Sequence, residues 1–187
     1  HRAVCQFADE NLQRGAWNYA QWMQLEEQLH QQLADFINAT QRDDIALVKN
    51  TSEGLSLIAQ GISWKTGDEI VIPDVEFPSN RLCWWQQEQR GARLLEVSLE
   101  SSDPEQALMD ACTRHTRLMS VSAVQYGAGL RLDLARLGRF CREREILFCV
   151  DGIQQLGAMD LDVTAIECDF LVADEHKWLL GPEGIAL

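Results

Sequence analysis

The hydrophobic positions of the chain follow two spacings, one typical of helices and the other typical of buried strands. Between residues 18 and 37, apolar side chains recur every three or four positions with Gln and Glu between them, which predicts an amphipathic helix. Beyond residue 43, short apolar runs alternate with stretches of helical spacing. The predicted strands are residues 45–48, 69–72, 93–97, 118–124, 146–150, 170–173 and 184–187. The helices predicted between them are residues 51–62, 78–90, 104–112 and 132–142.

This alternation determines the predicted fold class. Strands that alternate with helices of about ten residues indicate βαβ units, in which a helix joins two parallel strands. The strand segments are almost entirely apolar, as expected of strands covered on both faces. We therefore predict an α/β fold with a mostly parallel seven-stranded sheet and helices on both faces. Residues 1–42 are predicted to form an N-terminal helical segment, and residues 43–187 to form one large domain.

Composition and charge exclude some classes of partner. A length of 187 residues suits one domain, at roughly 150 residues per domain. The chain has 16 Lys and Arg against 29 Asp and Glu, and its net charge of −13 repels phosphate backbones and anionic lipids. No apolar run approaches the ~20 residues that a membrane-spanning helix needs. We therefore predict that neither nucleic acid nor a membrane is a partner.

The cysteines and the ends of the sequence bear on location and completeness. Six cysteines are scattered along the chain without a CxxC pair, which argues against a structural metal site. Scattered thiols are typical of a reduced protein, so we predict a cytoplasmic location. The sequence begins at His1 and ends at Leu187 within an apolar stretch, so we expect a segment of a longer protein.

Candidate site residues follow the predicted strands, because ligands of parallel sheets bind beyond the carboxyl ends of the strands. Thr51 and Ser52 follow the first strand, where their hydroxyls could cap a helix or bind an anion at its N-terminus. Phe77 could stack on a flat ligand or pack on the next helix. Asp151 could be a helix cap, a metal ligand or the partner of a cationic ring nitrogen. Lys177 could be a solvated loop lysine or a Schiff-base nucleophile.

Four motifs occur in a fixed order along the chain. They are NTSEG at residues 50–54, EFPSN at 76–80, DGIQ at 151–154 and HKWLLGPEG at 176–184. Neither GxGxxG nor GxxxxGK[ST] occurs, so an ordinary nucleotide-binding fold lacks its fingerprint. In this combination the motifs resemble the class V aminotransferase and cysteine-desulfurase-like family of pyridoxal 5'-phosphate (PLP) enzymes, which has the aspartate aminotransferase fold (fold type I). The resemblance runs from about residue 43 to the end of the sequence.

The resemblance implies roles for the residues around the cofactor ring. Lys177 would hold PLP as an internal aldimine (a Schiff base) and would then move a proton during catalysis. Asp151 would pair with the pyridinium nitrogen and keep it protonated, so that the ring accepts electrons. Gln154 would hydrogen-bond to the ring hydroxyl. Phe77 stands where the family often has a stacking His, so stacking would be kept without acid–base chemistry.

The resemblance also implies a phosphate site, and the chain departs from the family pattern beside it. Thr51 and Ser52 would bind the phosphate with help from His176. Many relatives have Ser or Thr three residues before the lysine, whereas this chain has Asp174, whose carboxylate would repel a phosphate unless it points away or is protonated. Glu175 replaces a frequent Gly.

A further departure follows the fourth predicted strand. An Asn that the family often has near the cofactor falls near Ala123, and Gln125 is a candidate substitute.

The function implied is that of a PLP-dependent enzyme acting on an amino acid or related amine, as the large domain of a homodimer. A C-terminal small domain follows the lysine region in this family and is not present in this segment, so no cysteine is assigned as a sulfur acceptor. Transamination, cysteine desulfuration or another β-elimination, and epimerisation share their first steps and stay open. The alternative is a catalytically inactive or truncated scaffold, for which Asp174 and Glu175 argue.

Overall fold

The computed structural model describes residues 2–187, which form six α-helices and five β-strands. The helices are α1 (Arg2–Arg14), α2 (Tyr19–Ile37), α3 (Thr51–Gly61), α4 (Ser79–Trp85), α5 (Pro104–Ala111) and α6 (Leu134–Glu143). The strands are β1 (Glu69–Pro73), β2 (Arg93–Val97), β3 (Thr116–Ser122), β4 (Leu147–Asp151) and β5 (Phe170–Val172). Short 3-10 helices occupy Gly15–Asn18, Arg42–Asp44 and Gln86–Arg90.

The five strands form one sheet in the order β2-β1-β3-β4-β5, and every neighbouring pair is parallel. The predicted α/β class and parallel sheet are therefore confirmed. The strand order reverses between β1 and β3, and the carboxyl ends at such a reversal are the usual ligand-binding position of this architecture. The residues after β1, β3, β4 and β5 are thus brought to one edge of the sheet.

Two of the seven predicted strands do not form strands in residues 2–187. Residues 45–48 and 184–187 instead meet through a single antiparallel bridge, in which Val48 and Ala186 exchange backbone hydrogen bonds of 2.9 and 2.7 Å. Leu187 also exchanges hydrogen bonds with Ala173, just beyond β5. Pairings of one or two residues do not make a ladder, although these apolar segments are the right length for one. These hydrogen bonds hold residues 186 and 187, which follow Lys177 in the chain, against Val48 and Ala173.

Both faces of the sheet are covered by helices, as predicted. Alternate residues of β1 point to opposite sides, so that Val71 packs with α5 and α6 while Ile70 and Ile72 pack with α3 and α4. All five β1 residues are buried, which explains why the strand is apolar at successive positions. Gly54 lets α3 approach β5, since a Cβ at this position would lie 2.6 Å from Cγ1 of Val172.

The N-terminal helices lie largely on the surface. The predicted helix at residues 18–37 is α2, which buries only residues near its end, packs there against the segment after β4, and stops where Asn38 adopts a left-handed conformation (φ 55°). Helix α1 lies within the predicted N-terminal helical segment, although the pattern gave it no bounds of its own, and it buries no residue. Its Phe7 ring packs on Trp22 of α2 at 4.9 Å. No helix within residues 2–187 is both long and apolar enough to cross a membrane.

Candidate active site

The start of α3 presents two hydroxyl groups that do not cap the helix. Asn50 is the capping residue, and its side-chain oxygen accepts a hydrogen bond from the backbone N–H of Glu53 at 2.9 Å. Thr51 is 5% exposed, and its hydroxyl has no hydrogen-bond partner in residues 2–187. Ser52 is exposed and donates to the hydroxyl of Ser79 at 3.1 Å. The capping interpretation thus applies to Asn50, and the Thr51 hydroxyl is left with an unmet hydrogen bond.

Asp151 ends β4 as a buried carboxylic acid with little support from the protein. It is 1% exposed, and one of its oxygens accepts a hydrogen bond from the backbone N–H of Ile153 at 3.1 Å. The pKa of Asp151 is raised to about 7, mainly by burial and also by the nearby charge of Glu76, although the Ile153 hydrogen bond and the Lys177 charge oppose the rise. A buried carboxylate with so few donors is a natural partner for a cation.

Lys177 is half-buried, whereas Lys49 and Lys65, the other lysines of the sequence, are exposed. Its ammonium nitrogen lies 5.9 Å from the centroid of the Phe77 ring, within range of a cation–π contact. The Phe77 ring packs edge-on against Tyr126, with centroids 5.2 Å apart and an interplanar angle of 83°. The loop that follows β5 and carries Lys177 (the lysine loop) packs closely on Gly157, because a Cβ at this position would lie 2.5 Å from the carbonyl oxygen of Trp178.

All seven residues that the sequence singles out line one cavity of about 260 Å³ at the carboxyl end of the sheet. They are Thr51, Ser52, Phe77, Asp151, Gln154, His176 and Lys177. Gln154 is half-buried, and its side chain makes no hydrogen bond to residues 2–187. A larger cavity of about 540 Å³ lies beside the outer edge of β5 and contains none of the seven.

The cavity wall also contains residues that were not proposed from the sequence. These are Asn50, Ser79, Ser122, Tyr126, Ile153 and Asp174. Ser79 belongs to the EFPSN motif and Ser122 ends β3, so both carried a positional signal. Tyr126 carried none that separates it from an ordinary surface tyrosine.

Two acids near the cavity are held by specific partners. An oxygen of Asp174 lies 2.9 Å from Nδ1 of His176, within ion-pair distance, and also accepts a hydrogen bond from the His176 backbone N–H at 3.5 Å. Glu76 accepts hydrogen bonds from the backbone N–H of Ser122 at 2.7 Å, from the Ser122 hydroxyl at 2.5 Å and from the Gln125 amide at 2.9 Å. Gln125 is therefore occupied with Glu76 and is not among the residues that line the cavity.

The polar groups of the cavity wall suit an anion beside Thr51 and a cation beside Asp151. The Thr51 hydroxyl is a buried donor without an acceptor, beside a helix N-terminus whose free N–H groups favour negative charge. Asp151 is a buried acid without a full cationic partner. A phosphate ester on a ring with a protonatable nitrogen has both complements. Within residues 2–187, no group of three His, Cys, Asp or Glu side chains could hold a metal ion.

Comparisons with known proteins agree with this geometry. The family model "Aminotransferase class-V" matches residues 8–187, and so begins within α1, ahead of the four motifs. A probable cysteine desulfurase of Methanothermobacter thermautotrophicus is 35% identical over 161 residues, which cover 84% of this chain and 40% of the relative. The isopenicillin N epimerase of Streptomyces clavuligerus is 34% identical over 147 residues, which cover 75% of this chain and 37% of that enzyme.

Solved structures give the same result. The complex of the cystine C-S lyase C-DES with its product cysteine persulfide superposes with a TM-score of 0.92 at 26% identity, covering 99% of this chain and 51% of that one. A variant of C-DES has glycine covalently linked to its PLP cofactor. The chain spans about 40% of the length of the curated relatives described above. It belongs to the class V aminotransferase family of PLP-dependent enzymes, with fold type I.

Proposed function

We propose that this chain forms the PLP site of an enzyme that breaks a bond at the α-carbon of an amino acid or related amine. The observation that carries the proposal is the cavity, where a half-buried lysine, a buried acid of raised pKa and a buried unpaired hydroxyl meet. PLP, when bound, supplies a protonated ring that accepts the electrons of the broken bond.

The residues that would hold the ring are Asp151, Gln154, Phe77 and Lys177. Asp151 would accept a hydrogen bond from the protonated ring nitrogen, and the resulting ion pair would relieve its buried charge. The free amide of Gln154 would donate to the ring hydroxyl, and Phe77 would cover one face of the ring. Lys177 would be the point of covalent attachment, and its amine, once released by the substrate, would take a proton from the α-carbon and return it.

The phosphate would be held by Thr51, Ser52 and His176. The Thr51 hydroxyl would gain the acceptor that it lacks, and the first N–H groups of α3 would add fixed donors. Ser52 would donate a further hydrogen bond. His176 would add a side chain that can carry positive charge.

Three reaction classes are compatible with these residues: transamination, β-elimination including cysteine desulfuration, and epimerisation. Each begins with loss of a bond at the α-carbon and needs a movable proton at Lys177. The names of the relatives support C–S cleavage and epimerisation. The residues that contact the substrate determine which of these reactions occurs, because a shared fold and cofactor do not fix the reaction.

We also propose that the protein is a cytoplasmic homodimer. Cys83, Cys141 and Cys149 are buried thiols whose pKa values are raised by burial, in keeping with a reducing compartment. Helix α4 exposes about half of the Leu82 and Trp85 side chains, which supports a further protein surface packing there. Light scattering of the complete protein at micromolar concentration tests the dimer, and a monomer would refute it.

The site is tested by reducing the PLP-treated complete protein with borohydride and mapping the modified peptide by mass spectrometry. We expect a phosphopyridoxyl group on Lys177 and none on Lys49 or Lys65. The variant K177A should lose the adduct, whereas the matched variants K49A and K65A should keep it, because both side chains are exposed and lie outside the cavity.

The alternative is a scaffold of the same fold that has lost its chemistry. An adduct on Lys177 together with turnover of any amino acid excludes this alternative. Absence of an adduct in the complete protein would favour it and would overturn the proposal.

A further inference from the structure

Asp174 occupies an unexpected place for a carboxylate in a phosphate-binding site. It follows β5, is 7% exposed and lines the cavity together with Thr51 and Ser52. A bare carboxylate at this position would repel a phosphate. The structure instead pairs Asp174 with His176, whose Nδ1 lies 2.9 Å from an Asp174 oxygen.

The charges of the cavity wall give this pair its importance. Lys177 and His176 are the lining side chains that can be positively charged, whereas Asp151 and Asp174 are the carboxylic acids. Lys177 would be consumed by covalent attachment. His176 is then the remaining side chain of the wall that can offset a phosphate charge, and it can do so only as an imidazolium.

We propose that Asp174 is a positioning residue for phosphate binding, which holds the His176 ring through the contact at Nδ1 so that Nε2 is directed to the phosphate. Nε2 is the ring nitrogen that remains, and in the protonated ring it donates a hydrogen bond to the phosphate. This inference rests on the proposed function and extends it to a residue that departs from the family pattern.

A neighbouring acid provides the matched control. Glu175 is adjacent to Asp174 but neither bonds to His176 nor lines the cavity. Simple repulsion predicts that D174N and E175Q, each of which removes one negative charge, both tighten phosphate binding. Positioning predicts that D174N weakens it while E175Q leaves it unchanged or slightly tighter.

The probes are PLP and pyridoxal, which share the ring and the aldehyde and differ in the phosphate. Affinities are measured by absorbance titration of the complete protein, so the readout does not depend on turnover. We expect D174N to weaken PLP binding about tenfold, the size of one charge-assisted hydrogen bond, and to leave pyridoxal binding unchanged. The ratio of the two affinities cancels the contributions of Asp151 and Lys177, which would hold the ring in both cases.

A double-mutant cycle tests whether the effect passes through the histidine. In the H176Q background, D174N should no longer weaken PLP binding, because the side chain that it positions is absent. The inference is overturned if D174N tightens PLP binding as E175Q does, weakens pyridoxal equally, or acts undiminished in H176Q.

Two further measurements distinguish the possible outcomes. If D174N unfolds, the ¹⁵N NMR signals of the His176 ring in the unmodified protein test the Asp174–His176 contact instead. An Nδ1 without a proton would refute this contact. Assignment is direct, because H176Q removes one of only four histidines. A Lys177 adduct with an unaffected D174N would refute this inference alone, whereas no adduct in the unmodified protein would refute the proposed function.

Discussion

Replacing Asp151 with Asn should stabilise the protein without its cofactor at pH 8, and this effect should grow as the pH rises from 5 to 8. Asp151 is almost completely buried, and burial, reinforced by the charge of Glu76, raises its pKa from 3.8 to about 7. An acid whose pKa is higher in the folded state binds its proton more tightly there. Its ionisation therefore destabilises the fold progressively as the pH rises from 3.8 to 7.

The size of the effect follows from the shift. The pKa of Asp151 in the folded protein exceeds its ordinary value by about 3, and each pKa unit corresponds to 1.36 kcal/mol. The charged Asp151 therefore destabilises the folded protein by about 4 kcal/mol above pH 7. At pH 5 the unfolded acid is already ionised, so about 2 to 3 kcal/mol of this penalty develops between pH 5 and pH 8. The Asn amide brings its own burial cost of about 1 to 3 kcal/mol, which is equal at both pH values and cancels from the comparison.

The assay is urea unfolding of the protein and the D151N variant, each without PLP, at pH 5 and pH 8. We expect the free energy of unfolding of D151N, relative to the unmodified protein, to rise by about 2 to 3 kcal/mol from the lower to the higher pH. D162N is the control. The Thr164 hydroxyl and the neighbouring donors lower the pKa of the half-buried Asp162 to about 2, so this acid is charged at both pH values.

The control should therefore change stability equally at pH 5 and pH 8. A D151N effect of the same size at both values would refute the reasoning, because it would mean that Asp151 has the same pKa in the folded and unfolded states. PLP affinity should fall in D151N even where stability rises, since the acid that pairs with the ring nitrogen is gone.

Three further substitutions test other contacts. T51V should raise the free energy of unfolding of the PLP-free protein by about 1 to 3 kcal/mol, because it removes a buried hydroxyl that has no partner, and should weaken PLP binding about tenfold in an absorbance titration. E76Q should lower the free energy of unfolding in urea by about 1 to 3 kcal/mol, because the replacement amide cannot accept all three hydrogen bonds made through Ser122 and Gln125; unchanged stability would contradict this account. G54A should destabilise the protein by about 1 to 3 kcal/mol in the same assay, since its Cβ would press on Val172; a neutral effect would show that β5 yields freely.

All five strands of the sheet were predicted from their apolar runs, including the half-exposed edge strand β2. Residues 69–72 and 146–150 are apolar runs whose neighbours pack from above and below, so hydrophobicity alone located them. The segments at 45–48 and 184–187 have the same composition but lie at the edge of β5, where one bridge forms between them. Helix α1 buries no side chain, so no apolar stripe predicted it.

The members of the candidate site could be predicted, whereas the contacts among them could not. A parallel sheet brings the ends of its strands together, so Asp151 and Lys177 share a cavity without any information about their side chains. The Asp174–His176 pair depends on the conformation of the lysine loop, which composition does not specify. Glu76 reaches Ser122 across 46 positions of sequence, a pairing that only the folded sheet creates.

Buried polar groups in this protein divide into two kinds, and the division separates architecture from binding. Glu76 is buried but fully supplied with donors from the end of β3, so it strengthens the fold. Thr51 and Asp151 are buried without adequate partners, and both face the cavity. Unpartnered amide atoms also occur on Asn80, Gln87, Gln125 and Gln155, but these groups are neutral and lie outside the cavity. Because an unmet donor and an unmet acid in one wall are unfavourable until a ligand with both complements binds, the stability lost at these positions is best explained as part of the binding site.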